Sequence, residues 1–240
     1  MKQITSASNP LIKDLLKLNK VKEAKELNKV LLEGQDLLDL AYEHHTLDLV
    51  LTCIDEEKYL GVETIYVPKF ILEKLSSNKS TQDVIGVAHY EFKNKVEGRS
   101  LVYLDGVQDP GNVGTIIRTA LAFSYDGVIL SSDSASIYNT KVIQSSKGAI
   151  FSLPIYLNES LQDLKNDSYE IIVTALHNSV PYEDVKLNSK FVIVLGNEGQ
   201  GVKKENIDLA SYVVKIDMDN IDSLNVAIAG GILLNHYKKM

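Results

Sequence analysis

"SLVYLDGVQDPGNVGTIIRTALAFSYDGVILSS", residues 100–132, contains the clearest strand–helix–strand pattern of the second half of the chain. Apolar runs at 100–107 and 125–132 predict two strands, and the segment 114–124 between them has apolar residues at helical spacing. Two strands joined through a helix run parallel, because a tight hairpin connects only antiparallel strands. The stretch therefore predicts an α/β protein with a parallel sheet that helices cover on both faces.

The same alternation continues toward the end of the chain. Runs rich in isoleucine and valine predict further strands, within 169–176, 190–197 and 210–218. A short helix followed by a strand is predicted within 141–156, and a final helix is predicted at 223–239. Residues 101–240 are therefore predicted to form one α/β domain.

The residues before this domain are predicted to form a smaller α/β unit. Leucine and valine recur at helical spacing over 9–30, with Asn9 as the cap and Pro10 at the first helical position. Beyond that helix, short apolar strands alternate with helical segments. The polar stretch 93–100 is predicted to be a linker, which places the first domain at 1–92.

The charge of the chain is unevenly distributed. A net charge of −7 over 240 residues argues against a general nucleic-acid-binding protein. Residues 1–30, however, carry seven lysines and only three acidic residues. Such a basic N-terminal face either meets a polyanion or is a solvated amphipathic helix, and the sequence leaves both readings open.

Several other protein classes are disfavoured by the composition. No apolar run reaches the roughly 18 residues of a membrane span, and the N-terminus lacks the apolar core of a signal peptide. Cys53 is the only cysteine, which excludes an internal disulfide and a cysteine-based zinc site, and we interpret it as a buried apolar residue rather than a reactive thiol. The histidines lack metal-ligand spacing, and only His177, at a strand end, is a candidate site residue. We therefore expect a cytoplasmic protein without a metal site.

The first of three unusual loops contains one of only two arginines in the chain. In parallel sheets, ligands bind beyond the carboxyl ends of the strands, where this glycine-rich loop at 104–118 lies. We predict Arg118 on the first turn of a helix, where the helix dipole disfavours a cation. Its guanidinium therefore either binds an external phosphate or pairs with Asp105 or Glu198.

The other two loops also follow apolar strands. The loop at 192–202, "VIVLGNEGQGV", has three glycines, and its Glu198 either contacts a ligand or caps the following helix. In the stretch 215–234, Asp222 or Ser223 is predicted to cap a helix that is apolar on most sides and therefore buried. Asn225 lies at the start of that helix and needs hydrogen-bond partners, in a structural or a catalytic role.

In this order, the three loops resemble the three motifs of the SpoU/TrmH family of RNA ribose 2′-O-methyltransferases, in the SPOUT superfamily. The patterns Asn-x-Gly-x-x-x-Arg, Asn-Glu-Gly-x-Gly and Ser-Leu-Asn-Val-Ala stand at 112–118, 197–201 and 223–227. Asp217 and Asn220 occupy positions where the family usually has proline and glycine. The front half, with "ITSASNP", "LLEGQ" and "VIGVAHY", is similar to the family's RNA-binding domain.

This resemblance implies a function and a set of site residues. It implies S-adenosylmethionine-dependent methylation of a ribose 2′-hydroxyl in structured RNA, with rRNA favoured over tRNA and without a metal. It also implies a deep trefoil knot in the C-terminal domain and a homodimer. The implied catalytic residues are Arg118, Asn112, Glu198, Ser223 and Asn225. The implied cofactor-binding residues are Leu195, Gly196, Gly201, Ile216, Met218, Leu224 and Ala227.

The chemistry expected of this site centres on Arg118. A guanidinium is too basic to act as a general base near neutral pH, so we expect it to hold a substrate phosphate and stabilise the developing alkoxide. One alternative is a non-catalytic RNA-binding protein with a degenerate methyltransferase domain, which the intact motif residues disfavour. A nucleotide-dependent oxidoreductase is also disfavoured, because no glycine fingerprint is followed by an acidic residue about 20 positions later.

Overall fold

A computed structural model describes residues 1–78, 80–93 and 95–238 of the chain. These residues form two compact units, one of 1–91 and 136–152, the other of 92–135 and 153–240. Asn94 of the predicted linker, and Lys239 and Met240 at the end of the predicted second domain, lie outside the described residues. None of the helices within the described ranges has both the length and the apolar character needed to cross a membrane.

The first unit is built on a mixed five-stranded sheet. Its elements up to residue 91 are β1 (Lys2–Gln3), α1 (Pro10–Lys17), α2 (Val21–Leu27), β2 (Val30–Glu33), α3 (Gln35–Glu43), β3 (Leu47–Thr52), β4 (Glu63–Tyr66), α4 (Lys69–Leu75) and β5 (Val84–Ala88). The strand order is β1-β4-β3-β5-β2. Strand β5 runs antiparallel to both β2 and β3, whereas β1, β4 and β3 are mutually parallel. The predicted small α/β unit is thus confirmed.

The predicted single helix over 9–30 is divided into two helices. Its start is correct, because the Asn9 side chain accepts a hydrogen bond from the Leu11 N–H and Pro10 begins α1. The chain leaves the helix after Lys17, and the Asn19 side chain donates to the carbonyl of Leu75 at the end of α4. Helical periodicity continues through the break, so the sequence pattern did not reveal it.

From β6 onward the chain alternates strands and helices, as predicted. The elements are β6 (Ser100–Asp105), α5 (Pro110–Ala122), β7 (Gly127–Leu130), α6 (Thr140–Ser146), α7 (Ala149–Ser152), β8 (Ile155–Leu157), α8 (Leu161–Asn166), β9 (Glu170–Thr174), β10 (Val180–Pro181), a 3₁₀ turn (Tyr182–Asp184), β11 (Phe191–Gly196), α9 (Lys204–Ile207), β12 (Tyr212–Lys215) and α10 (Val226–Tyr237).

The second unit contains a seven-stranded sheet in the order β10-β12-β9-β11-β6-β7-β8. Every neighbouring pair of these strands is parallel, which confirms the predicted parallel sheet. Strands β6 and β11 lie at its centre and all their residues are buried, as expected for strands covered on both faces. The trefoil knot implied by the family resemblance stays a prediction.

Helices α6 and α7 follow β7 in sequence but pack within the first unit. The Tyr90 hydroxyl donates to the Ile137 carbonyl at 2.8 Å, and the Tyr138 hydroxyl donates to the Asn28 side chain at 2.8 Å. Tyr90 also stacks on Phe151, with ring centroids 5.6 Å apart. These contacts join residues about 50 to 110 positions apart, which periodicity alone does not predict.

Helix α5 begins at Pro110, four residues earlier than predicted. Asp109 is its N-cap, and the Asp109 carboxylate accepts from the Asn112 N–H at 2.9 Å. Arg118 therefore lies in the third turn rather than the first. Because the dipole effect falls off within the first turn, our argument that Arg118 opposes the helix dipole was wrong. The Asp-Pro pair was the signal that could have located the start of the helix.

Candidate active site

Side-chain hydrogen bonds connect the three glycine- and asparagine-rich loops. The Glu198 carboxylate, which follows β11, accepts from the Asn112 side-chain amide on α5 at 3.0 Å. The Asn112 carbonyl oxygen in turn accepts from the Asn225 side-chain amide at 3.0 Å. Each residue comes from a different loop, so the three loops meet at one place beyond the carboxyl ends of β6, β11 and β12.

Glu198 is held as an ionised acceptor. Besides Asn112, it accepts from the backbone N–H groups of Gln108 and Asp109, both at 3.2 Å. Partial burial alone would raise the pKa of Glu198, but these hydrogen bonds outweigh it and keep the pKa below its ordinary value. Glu198 does not cap the following helix α9, whose N-cap is Lys203, so that alternative was wrong. Its hydrogen bonds instead hold the start of α5 against the end of β11.

Asn225 has both a capping role and a side-chain partner in the first loop. Its oxygen accepts from the N–H groups of Ala227 and Ile228, which makes it the N-cap of α10. The predicted caps Asp222 and Ser223 were therefore wrong, because α10 begins only at Val226. The amide of Asn225 remains available to donate to Asn112, so one side chain serves both purposes.

The loop after β11 is closed by its own hydrogen bonds. The backbones of Asn197 and Gly201 exchange two hydrogen bonds, at 3.0 and 2.9 Å. The Asn197 side chain accepts from the Gly199 N–H and donates to the Gly106 carbonyl at the end of β6. A Cβ at Gly196 would lie 2.3 Å from backbone atoms of the returning chain, so only glycine fits there. The sequence analysis did not identify this role for Asn197.

A cavity of about 740 Å³ lies beside this loop in the second unit. Its wall contains six of the seven predicted cofactor-binding residues, namely Leu195, Gly196, Gly201, Ile216, Met218 and Leu224. Glu198, Ser223 and His177 also line it. Ala227 is buried but does not belong to the wall. The wall combines apolar side chains with segments of the loops that follow β9, β11 and β12, a composition that suits a small organic ligand.

Arg118 stands apart from these contacts. It is exposed, does not line the cavity, and makes no hydrogen bond or ion pair with any residue in the described part of the chain. Pairing with Asp105 or Glu198 is therefore excluded for this structure. Asp105 is bound by Lys203 and Asn206 instead, and Glu198 by the first loop. Ser223 likewise has no hydrogen bond among the described residues.

One cation on the cavity wall has a partner within the chain. Lys215 lines the wall and pairs with Asp217 at 2.7 Å, so the aspartate that replaces the family's usual proline binds a neighbouring side chain. Within the ranges that the structure describes, no group of three or more His, Cys, Asp and Glu side chains is arranged to hold a metal ion. The cavity wall is largely apolar, with a few polar and charged side chains such as Glu198, Lys215 and Ser223.

The predicted complete burial of α10 was wrong. Ile228 is 57% exposed, and a Cβ added at Gly231 would meet no atom within 4 Å. Together with Thr115 and Thr119 of α5, this face of α10 lines an open groove of about 530 Å³. The opposite face, with Gly230, Leu233 and Leu234, is buried. The composition of a helix predicts that it prefers burial, but not whether its own chain covers both faces.

The sequence profile of the SpoU rRNA methylase family matches residues 99–235, which contain all three loops. The chain belongs to this family. Among SpoU relatives, it is 32% identical to the 23S rRNA (guanosine(2553)-2'-O)-methyltransferase RlmP of Bacillus subtilis (strain 168). That similarity spans 99% of this chain and 100% of RlmP.

Two solved structures agree with this one over nearly the whole chain. An AdoMet-bound rRNA methyltransferase from Sinorhizobium meliloti is 27% identical and superposes with a TM-score of 0.87, covering 98% of both chains. A TrmH-family protein from Porphyromonas gingivalis is 26% identical, with a TM-score of 0.87 over 96% of this chain and 98% of that one. Both units of the chain therefore have counterparts in these solved structures.

Replacement of Gly196 by alanine tests the close approach beside the cavity. Gly196→Ala is expected to lower the free energy of unfolding by about 1–3 kcal/mol, because the Cβ must displace backbone rather than a flexible side chain. Gly199→Ala is the matched control, since its Cβ would lie 3.6 Å from the nearest atom, an ordinary contact. Urea unfolding of both variants measures the difference, and equal stability of the two would contradict the close approach.

Proposed function

We propose that this chain transfers a methyl group from S-adenosylmethionine to a ribose 2′-hydroxyl of 23S rRNA. The observation that carries the proposal is the hydrogen-bonded series Glu198–Asn112–Asn225 beside a cavity at the carboxyl edge of a parallel sheet. Membership of the SpoU family supports methyl transfer to RNA. The full-length similarity to RlmP supports 23S rRNA as the first substrate to test, and an rRNA substrate supports action in the cytoplasm.

The cavity fits the cofactor. Its volume of about 740 Å³ lies within the range of small-molecule sites, and its wall is largely apolar. The missing side chain at Gly196 allows the loop to fold directly against the strand end and expose backbone groups. Gly196, Ile216 and Leu224 would hold the cofactor, with Leu195, Gly201 and Met218 completing the wall. When bound, S-adenosylmethionine supplies an electrophilic methyl group on a positively charged sulfur.

Glu198 orients other groups rather than accepting the proton of the 2′-hydroxyl. Both of its oxygens already accept hydrogen bonds, and these bonds lower the affinity of the carboxylate for a proton. Asn112 and Asn225 are fixed through it. We propose that these amides position the target nucleotide near the cavity, while Ser223 on the cavity wall contacts it directly.

Arg118 is the residue we propose for binding the substrate phosphate. Its planar guanidinium can bind phosphate through two hydrogen bonds, and no carboxylate in the described chain occupies it. In this role it would hold the nucleotide in position and stabilise negative charge that develops on the attacking oxygen. The proton would pass to the phosphate or to a neighbouring group, because a guanidinium does not lose its own proton near neutral pH.

Arg118→Lys separates this role from general attraction to RNA. The single-turnover rate of methyl transfer is expected to fall roughly a hundredfold, because the charge is kept but the two-point geometry is lost. Cofactor affinity, measured by calorimetry with EDTA present, and the melting temperature are expected to stay near wild type. Arg99→Lys, the only other arginine position, is the matched control and is expected to keep the wild-type rate. A near-normal rate for Arg118→Lys would contradict the proposed role.

We also propose that a second copy of the chain covers the exposed face of α10. The face is apolar around Ile228 and continuous with the groove that Thr115 of α5 lines. Arg118 is three residues beyond Thr115 and is therefore its neighbour on the helix surface. A homodimer formed through this face would bring the interface close to the proposed phosphate-binding residue.

Ile228→Lys tests the dimer. A two-fold interface contains this side chain twice, and each burial contributes about 1.5–3 kcal/mol, so the dimer dissociation constant is expected to rise at least about a hundredfold. Sedimentation equilibrium measures the change. Leu60→Lys is the control, because Leu60 is 91% exposed but lies in the first unit. A wild-type chain that is monomeric at micromolar concentration would contradict the proposal.

The first unit is the part that we propose to bind rRNA outside the active site. Many lysines of residues 1–30 are paired with carboxylates, including Lys17 with Asp14 and Lys29 with Asp48. Lys13 on α1 and Lys25 on α2 are exposed and form no ion pair with the described residues. These two side chains are therefore the best candidates for phosphate contacts, which dominate binding to RNA.

The double variant Lys13→Glu with Lys25→Glu is expected to weaken rRNA binding and to flatten its dependence on salt, since fewer counterions are released. The affinity is measured for the full chain at several salt concentrations. Lys186→Glu, another exposed and unpaired lysine but in the second unit, serves as the control. If Lys186→Glu weakens binding more than the double variant does, the first unit is not the main RNA-binding surface.

A further inference from the structure

A buried carboxylate at the end of β6 is only partly satisfied. Asp105 is 1% exposed, and its Oδ2 accepts from the Lys203 N–H at 2.8 Å and from the Asn206 side-chain amide at 2.9 Å. Its Oδ1 has no hydrogen-bond partner in the described chain, and the Lys203 ammonium is 3.6 Å away. An incompletely bonded buried charge is a poor source of stability, so its retention needs another explanation.

The two residues that Asp105 binds adjoin the wall of the cavity. Lys203 directly follows Val202, and Asn206 directly precedes Ile207, and both Val202 and Ile207 line the cavity. Asp105 therefore fixes the chain at both ends of the short segment between two wall residues. The other end of the same loop is already fixed by the backbone pairing of Asn197 with Gly201.

Lys203 has a second carboxylate partner outside the cavity wall. Its ammonium lies 2.6 Å from Asp133, which follows β7. The hydrogen bond to Asp133 raises the pKa of Lys203, so the lysine stays charged beside Asp105. The Asp133 side chain is 43% exposed, and in the part of the chain that the structure describes it makes no hydrogen bond with Asp105 or with the backbone of Lys203. Both carboxylates thus lie near the Lys203 ammonium, but it is Asp105 that accepts the hydrogen bonds from the backbone of Lys203 and from the Asn206 side chain.

We infer that Asp105 is a positioning residue for S-adenosylmethionine binding, which rests on the proposed function of the cavity. Its carboxylate holds Val202 and Ile207 where they complete the wall. A charged acceptor is needed because hydrogen bonds to an ionised group are roughly twice as strong as neutral ones. Asp105 touches neither cofactor nor substrate and acts through the 203–206 segment.

Asp105→Asn, in the full chain, is the variant that tests this inference. One amide oxygen can still accept from the loop, but the charge is lost and an NH₂ group faces the Lys203 ammonium or the loop donors. The dissociation constant and KM for S-adenosylmethionine are expected to rise about tenfold, the effect of roughly 1.4 kcal/mol. The KM for rRNA and the melting temperature are expected to stay near wild type. Asp133→Asn is the matched control and is expected to keep the wild-type cofactor affinity.

Asn206→Ala provides a second variant that leaves the buried charge in place. It removes one of the two hydrogen bonds to Asp105. The dissociation constant is expected to rise by a smaller factor, about threefold, because the charge of Asp105 and its hydrogen bond from the Lys203 N–H remain. It also keeps the test valid if Asp105→Asn does not fold. Equal cofactor affinity of Asp105→Asn and Asp133→Asn, or of Asn206→Ala and wild type, overturns the inference. A parallel loss of melting temperature and rRNA affinity overturns it too, since that pattern indicates a general structural role.

The wild-type measurement separates this inference from the proposed function. If the wild-type chain does not bind S-adenosylmethionine at millimolar concentration, the proposed function fails and the inference fails with it. If the wild type binds and the variants bind equally well, only the positioning role of Asp105 is overturned.

Discussion

The hydrogen bonds accepted by Glu198 are the constraint on which the site depends. They join the end of β11 to the first turn of α5, and through Asn112 and Asn225 they extend to the start of α10. The loop after β11 is closed by the backbone pairing of Asn197 with Gly201, but that pairing does not connect it to the other two loops. The ionised carboxylate is what allows a single side chain to satisfy three donors from another part of the chain.

The position of Glu198 in turn depends on backbone packing. Gly196 ends β11 without a side chain, so the chain can return through Gly201 and Val202 directly against the strand. Asn197 closes that return, and Asp105 holds the chain where it leaves the loop. The loop after β11 therefore contributes both to the cavity wall and, through Glu198, to the hydrogen-bonded series with Asn112 and Asn225.

Two features of the second unit lack a partner among the described residues, and we propose that binding outside the chain supplies one for each. Arg118 forms no ion pair with a carboxylate among the described residues, although the protein is acidic and carries 32 Asp and Glu residues. The apolar face of α10 around Ile228 has no cover. A substrate phosphate and a second copy of the chain would satisfy them respectively. Because Arg118 and the groove-lining Thr115 are neighbours on α5, these two binding events would occur close together.

Sequence patterns were sufficient to predict most of the elements and their general arrangement. Alternating strands and helices predicted the parallel sheet, Asn9-Pro10 located the start of α1, and three motifs identified the family. These features are local, because periodicity and capping depend on residues within a few turns of one another. Six of the seven residues predicted to bind the cofactor line one cavity, because loops at adjacent strand ends converge, and their role in binding stays a prediction.

The pairing of side chains in the site became visible only in the folded chain. Glu198 and Asn112 are 86 residues apart and Asn112 and Asn225 are 113 apart, so no local pattern pairs them. The same limit explains the errors over Arg118 and α10. A lone arginine does not reveal whether a carboxylate will fold beside it, and an apolar helix does not reveal which face its own chain covers. Partners and burial are properties of the packed chain, whereas propensity and periodicity belong to each segment.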